Sequence, residues 1–131
     1  MYLVNEAGRP SPTALEILER LDDSFTTELA LYNLEANVEP LELEGRCFSE
    51  LRTRVQDMVT EARRAAAEVG TEIALTGILP TLSKSDVTLA NITPRTRYYA
   101  LNEAFAKARA GEPYKLRIQG SDELYTEHES V

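Results

Sequence analysis

The segment from Leu29 to Pro40, LALYNLEANVEP, carries the residues of this chain that are best suited to chemistry. Read as an extended strand, it alternates between an apolar side and a side that bears amides and carboxylates. The apolar side comprises Ala30, Tyr32, Leu34, Ala36 and Val38, and the other side comprises Leu29, Leu31, Asn33, Glu35, Asn37 and Glu39. Side chains on one face of a strand recur about every 7 Å. The polar row therefore predicts either the floor of a cavity for a metal ion or an amino-acid substrate, or an ordinary solvated face.

A second group of candidates is the arginine pair in Ile92–Tyr98, ITPRTRY. Thr93 is predicted to cap a helix that Pro94 opens, which would place Arg95 and Arg97 in its first turn. Cations there oppose the helix dipole, at a cost of about a few tenths of a kcal/mol each. A guanidinium kept against that preference suggests bidentate binding of a carboxylate or phosphate, and the alternative is an arginine exposed by chance.

Other kinds of site have little support in the sequence. The chain has one histidine, His128, and one cysteine, Cys47, so neither a nucleophilic triad nor a zinc cluster is indicated. No glycine-rich loop of the phosphate-cradling kind occurs. Carboxylate and amide oxygens such as those of Glu35, Asn37 and Glu39 suit Mg²⁺, which is commonly shared with nucleotide phosphates.

Composition sets limits on the class of protein. The chain has 131 residues, 43% of them hydrophobic, which predicts a single globular domain. Its net charge of −8 argues against a nucleic-acid partner. No apolar run is long enough to cross a membrane, and no secretory signal is seen. We therefore expect a cytoplasmic protein, and because both ends read as cuts through a larger fold, we expect residues 1–131 to be a fragment.

The elements that would position these residues alternate along the chain. The patterns predict strands at 2–4, 25–38, 71–79 and 114–119, and helices opened by Pro12, by Ser49 and by Pro94, the last of them ended by Gly111. The helix after Ser49 would bury an apolar stripe from Leu51 to Val69. Each strand has one apolar and one polar face, whereas strands of a buried parallel sheet are apolar on both. The prediction is an α+β fold: an antiparallel or mixed sheet with helices packed on one face, the other face forming a ligand cavity.

Four motifs, in this order and spacing, resemble the bacterial carboxylate–amine ligases of the glutamate–cysteine ligase type 2 family. They are YLVNEAGRP at Tyr2–Pro10, EANVEP at Glu35–Pro40, ALTGILP at Ala74–Pro80, and TPRTRY at Thr93–Tyr98. The resemblance runs through almost the whole chain. It implies an incomplete fold of the glutamine synthetase/glutamate–cysteine ligase kind.

The resemblance also implies a reaction: ATP-dependent amide formation between a glutamate-like carboxylate and an amine such as cysteine, through an acyl phosphate. Carried over by position, Glu35 resembles a Mg²⁺ or substrate-ammonium ligand and Glu39 a second metal ligand. Asn37 resembles a substrate-positioning amide, Arg97 a catalytic residue that binds phosphate or the substrate carboxylate, and Arg95 a residue that binds the nucleotide. ATP and Mg²⁺ are the implied cofactors.

The chain also departs from the family pattern. A Glu-x-Glu pair that supplies further metal ligands, and a later His- or Gln-rich strand, are absent from it. The alternative function is therefore a non-catalytic ligand-binding or oligomerisation domain on the same scaffold. An incomplete sheet exposes strand edges, so we expect a homo-oligomer.

Overall fold

A computed structural model describes residues 1–110 and 112–128, which divide into two compact units, Met1–Thr93 and the part of the chain from Pro94 onward. The first unit contains β1 (Tyr2–Val4), α1 (Ala14–Leu18), β2 (Phe25–Thr27), β3 (Leu34–Ala36), α2 (Cys47–Ala67), β4 (Glu72–Ala74) and two short 3-10 turns, Lys84–Asp86 and Leu89–Asn91. The second contains α3 (Thr96–Ala108), β5 (Tyr114–Gln119) and β6 (Glu123–His128). None of the helices in these described ranges is both long enough and apolar enough to span a bilayer.

Strands of the first unit pair in antiparallel fashion. β1 pairs with β4, with Leu3 opposite Ile73, and β3 pairs with β2. The other edge of β1 bonds to the start of β3: the Leu3 amide donates to the Tyr32 carbonyl at 2.8 Å, and the Leu34 amide donates to the Met1 carbonyl at 2.9 Å. The four strands therefore lie in the order β4–β1–β3–β2. The predicted α+β class with antiparallel pairing is confirmed.

The core lies between one face of these strands and helices α1 and α2. Strands contribute Leu3, Phe25, Leu34 and Ile73, and the helices contribute Ala14, Ile17, Ala62, Ala65 and Ala66. The three alanines of α2 are fully buried, and their short side chains let the helix lie close to the strands. Burying a Leu or Ile side chain stabilises the fold by about 1.5–3 kcal/mol, so this cluster holds the strands in place.

The predicted single strand at 25–38 is wrong: the segment forms two short strands joined by residues 28–33. The Asn33 amide donates to the Ala30 carbonyl within this connection at 2.9 Å. The physical reason lies in which residues face the core. Phe25 and Thr27 are buried at odd positions, whereas Leu34 is buried at an even one. A straight strand cannot bury both sets on one face, so the chain must turn between them.

All three predicted helix starts are displaced. α2 begins at Cys47, with Arg46 at the N-cap, so Ser49 lies inside the helix rather than at its start. α1 begins at Ala14 rather than Pro12, because the Ser11 hydroxyl bonds to that of Thr71 at 3.2 Å instead of capping the helix. α3 begins at Thr96, with Arg95 at the N-cap. Thr93 does not cap it, because its hydroxyl donates to the Glu28 carbonyl at 2.6 Å. Only Arg97 therefore lies in the first turn of α3. Gly111, predicted to end that helix, lies outside the described residues.

Only the C-terminal part of helix α2 is buried. The predicted apolar stripe is buried only toward the C-terminal end, at Ala62 and Ala66. Leu51 and Val55, expected in the core, are exposed, and Phe48 in the first turn is 74% exposed. The N-terminal half of α2 therefore presents apolar side chains to solvent.

The second unit contains the strand predicted at 114–119, which is confirmed as β5. It pairs antiparallel with β6, and Arg117 forms an ion pair of 2.9 Å with Glu123 across the hairpin. β6 was not predicted. Its sequence, ELYTEH, alternates between polar and apolar residues only in part.

Truncating Leu34 to Ala should lower the free energy of unfolding by about 2–5 kcal/mol, because it leaves a cavity between β3 and the helices. Leu43→Ala is the matched control, since that leucine is 81% exposed and its loss should cost no more than about 0.5 kcal/mol. Urea denaturation followed by circular dichroism measures both. Equal unfolding midpoints for the two variants would contradict the packing described here.

Candidate functional site

The strand face opposite the core, here called the outward face, carries polar side chains from β2, β3 and β4. Thr26 of β2 pairs with Glu35 of β3, and Val4 of β1 pairs with Glu72 of β4. Directly paired residues share a face of an antiparallel sheet. Their neighbours Leu3, Leu34 and Ile73 face the core, so Glu35 and Glu72 lie on the outward face. The structure thus places Glu35 away from the core, as the sequence predicts.

A second carboxylate, that of Glu28, contributes negative charge near the Met1 amino group, as Glu35 does. The Met1 amino group donates to the Leu34 carbonyl at 2.8 Å. Partial burial lowers the pKa of this amino group, and the negative charges of Glu28 and Glu35 oppose that shift. Both carboxylates therefore lie within electrostatic reach of one cationic group. Carboxylates are also the groups that bind a metal ion or a substrate ammonium, which is the role predicted for Glu35.

Glu28 was missed by the sequence analysis for a geometric reason. In a single strand, Glu28 and Glu35 differ in parity and would lie on opposite faces. In the structure, β2 ends at Thr27 and Glu28 lies in the connection to β3, so the parity of a single strand no longer separates the two carboxylates. The signal was present in the sequence: the apolar parity changes between Phe25 and Leu34, which marks a turn.

Asn37 and Glu39 follow β3 on the same hairpin. The Asn37 amide donates to the Ser24 carbonyl at 2.8 Å and so extends the pairing beyond Ala36. Both side chains are exposed, whereas Glu35 is partly buried. Glu39 borders a groove of about 210 Å³ whose walls are mainly apolar and include Leu41 and Phe48. The predicted roles of Asn37 and Glu39 remain predictions.

The donor groups present can be compared with what Mg²⁺ requires. Within the described ranges, no group of three or more His, Cys, Asp or Glu side chains is placed to hold a metal by itself. Mg²⁺ does not need such a cage, because it commonly takes one or two carboxylates together with water and substrate phosphates. The carboxylate of Glu35 on the outward face fits that mode of binding, and Glu39 stays a predicted ligand.

The two predicted arginines belong to the second unit, and both are exposed at the start of α3. The Arg97 guanidinium carbon lies 4.6 Å from the centroid of the Tyr98 ring, and its Nη2 donates to the Tyr98 hydroxyl. Tyr98 is buried, so its ring holds the guanidinium on a fixed surface. A guanidinium restrained in this way loses less entropy when it binds an anion. Arg95, at the N-cap, is exposed as well.

Comparison with known proteins places the chain in context. A family model described as Glutamate-cysteine ligase family 2 (GCS2) matches residues 1–116. Comparison with curated proteins gave no match, and comparison with solved structures gave none. The matched range includes all five predicted site residues, which are Glu35, Asn37, Glu39, Arg95 and Arg97, and it ends within β5.

Proposed function

The chain belongs to glutamate-cysteine ligase family 2, and from this premise we propose that the protein joins a glutamate-like carboxylate to an amine such as cysteine at the expense of ATP. The observation that carries the proposal is the family match over residues 1–116, which includes Glu35 on the outward face of the strands. A carboxylate such as that of Glu35 can bind a divalent cation together with water and substrate phosphates.

The reaction proceeds in two steps. An oxygen of the substrate carboxylate attacks the γ-phosphorus of ATP, the bond to the bridging oxygen breaks, and ADP leaves. The amine nitrogen then attacks the carbonyl carbon of the acyl phosphate, loses a proton, and expels phosphate. Positioning and electrostatic stabilisation provide most of the catalysis in such phosphoryl transfers.

Each predicted residue has a role in this scheme. Glu35 holds Mg²⁺ or the substrate ammonium, and Glu39 is the second predicted metal ligand. Arg97 binds the transferred phosphate or the substrate carboxylate, Arg95 binds the nucleotide, and Asn37 orients the substrate. Mg²⁺, when bound, neutralises charge on the nucleotide phosphates.

The scheme includes cationic groups, Mg²⁺ and two arginines, because both the chain and its proposed substrates are negatively charged. Its net charge is −8, and glutamate and ATP are themselves anions. The carboxylates of Glu28 and Glu35 would repel glutamate and ATP unless a metal ion lay between them. The restraint of the Arg97 guanidinium by the Tyr98 ring supports the role proposed for it as an anion-binding group.

The test is an assay of the natural full-length protein with ATP, Mg²⁺, glutamate and a panel of amines that includes cysteine. The expected result is formation of ADP and phosphate that requires both glutamate and an amine, with an amide product detected by mass spectrometry. Reactions that lack either substrate are the controls. Failure to form an amide with any amine, or release of AMP and pyrophosphate, would contradict the proposal.

A non-catalytic association role is the second candidate, and one observation favours it. Leu43, in the loop before α2, is 81% exposed, and Phe48, in the first turn of α2, is 74% exposed. Neighbouring large apolar side chains with this exposure are typical of a surface that binds a partner. Ligand binding seen by calorimetry, together with a lack of turnover in the full-length protein, would favour this candidate.

The cytoplasmic location, the single domain and the fragment status remain predictions.

We expect the chain of 131 residues to self-associate, because open strand edges and these exposed side chains both favour it. Sedimentation velocity over a range of concentrations measures the assembly. Phe48→Ser should shift it toward monomer, whereas Ile78→Ser, at a residue that is 76% exposed elsewhere, should not. A monomer at all concentrations would contradict this expectation.

A further inference from the structure

Arg9 lies in a surface turn but forms hydrogen bonds with a distant part of the chain. It lies between β1 and α1, and its guanidinium reaches a segment more than 70 residues away in the chain. Nη1 donates to the Thr81 carbonyl at 2.6 Å, and Nη2 donates to the Ser83 hydroxyl at 3.1 Å and to Oδ2 of Asp86 at 2.8 Å. The Thr81 hydroxyl donates in return to the Gly8 carbonyl. The turn and the segment are therefore tied together at several points.

Asp86 extends this network into the segment. Its Oδ2 also accepts the Ser83 amide at 2.8 Å and the Ser83 hydroxyl at 2.6 Å, which forms a capping box around the turn Lys84–Asp86. The hydrogen bonds from Ser83, and then the nearby Arg9 charge, lower the pKa of the Asp86 carboxyl. The Asp86 side chain is 17% exposed and that of Arg9 is 44% exposed. The carboxylate is thus enclosed more than an ordinary surface ion pair.

The other end of the segment is bonded to the connection that follows Glu28. Asn91 donates from its side chain to the Asp86 carbonyl at 2.8 Å, and its own carbonyl accepts the Leu31 amide at 2.8 Å. The Thr93 amide donates to the Leu29 carbonyl at 2.8 Å, and its hydroxyl donates to the Glu28 carbonyl. Residues 81–93 are therefore bonded to Arg9 at one end and to the backbone of Glu28 at the other.

We propose that Arg9 is a positioning residue: by holding residues 81–93, it fixes the backbone of the connection that begins at Glu28 and leads into the strand of Glu35. Its catalytic consequence rests on the proposed function, because it acts on Glu35 through this backbone. The fork geometry of a guanidinium is needed for three separate acceptors, and the single ammonium of a lysine does not reproduce it. An isolated exposed ion pair would contribute little, so the long-range carbonyl and hydroxyl contacts carry the inference.

The experiment compares Arg9→Met, Arg9→Lys and Asp86→Asn in the natural full-length protein, with Arg64→Met as the matched control. Arg64 forms only a local pair of 3.3 Å with Glu68 and is well exposed. The first readout is amide hydrogen exchange at Leu31 and Thr93, whose amides bond across the segment. We expect Arg9→Met to raise exchange there by about tenfold or more, Arg9→Lys to recover only part of the protection, and the control to change nothing.

The second readout is steady-state kinetics of the ligase reaction. We expect Arg9→Met to lower kcat by about tenfold with a smaller change in the KM for ATP. Adding Asp86→Asn to Arg9→Met should cost little more, because the two residues act as one unit. A merely structural residue would lower the amount of folded enzyme and leave kcat per folded molecule unchanged.

Several outcomes would overturn the inference. One is unchanged exchange at Leu31 and Thr93, and another is a uniform rise that includes the core amides of β1 and β4, which would indicate global destabilisation. Raised local exchange with unchanged kcat per folded molecule would also overturn it. If the unmodified protein has no ligase activity, the proposed function fails, and the exchange readout alone decides whether Arg9 positions the segment.

Discussion

Glu35→Gln should lower turnover by about two to three orders of magnitude in the full-length protein while leaving the fold intact. The substitution keeps the shape of the side chain and removes its charge. Glu35 lies on the outward face and pairs with Thr26. Its negative charge, like that of Glu28, acts on the Met1 amino group. A neutral amide cannot hold Mg²⁺ or a substrate ammonium with comparable strength. Initial rates with saturating ATP, glutamate and amine measure the effect.

Glu42→Gln is the control for this prediction. Glu42 is exposed in the loop between Asn37 and α2, so its substitution changes net charge equally but should leave turnover within about twofold. The unfolding midpoint of each variant shows whether a loss of activity reflects loss of folded protein. Unchanged turnover in Glu35→Gln would remove Glu35 from the site.

Arg97→Met should lower kcat/KM by about 100-fold, because in the proposed reaction Arg97 is the charged donor to the developing negative charge of the transferred phosphate. Tyr98 holds the guanidinium at 4.6 Å from its ring centroid, so the group is restrained before substrate binds. Arg97→Lys should recover little of the loss, since an ammonium neither stacks in the same way nor binds bidentately.

The matched control is Arg63→Met on α2, where the arginine is exposed on a helix that belongs to the first unit. It removes one positive charge, as Arg97→Met does, and should leave kcat/KM within about twofold. The measurement is kcat/KM for ATP and for glutamate. Equal values for Arg97→Met and the unmodified protein would assign Arg97 to a structural role on Tyr98.

The elements that could be predicted are those whose signals are local. The strand Tyr2–Val4, the strand Tyr114–Gln119 and the body of helix α2 each follow from a run of residues with one periodicity. The α+β class followed from strands with one polar face. In each case the residues that specify the element are the residues that form it.

The elements that could not be predicted depend on distant parts of the chain. Thr93 has the sequence signature of a helix cap, but its hydroxyl bonds to the Glu28 carbonyl, and α3 starts later. The hairpin at Phe25–Ala36 was read as one strand, because alternation alone does not show where a chain reverses. The contacts of Arg9 join residues more than 70 positions apart, and no local pattern indicates them.

The candidate site shows the same division. Glu35 was predicted from alternation near the end of its strand, and the structure places it on the outward face. Glu28 could not be found in this way, because it lies in the connection after β2, where alternation along one strand no longer applies. The roles of Asn37, Glu39 and Arg95 rest on the family pattern and remain predictions.

The central claim is that the substrate carboxylate is activated as an acyl phosphate, and the measurement that tests it most directly follows the carboxylate oxygen. Glutamate labelled with ¹⁸O in its carboxylates is incubated with the full-length protein, ATP, Mg²⁺ and an amine, and the released phosphate is analysed by mass spectrometry. The account predicts one ¹⁸O atom in each phosphate, because the oxygen that attacks ATP leaves with the phosphoryl group. Amide formation with unlabelled phosphate would contradict it.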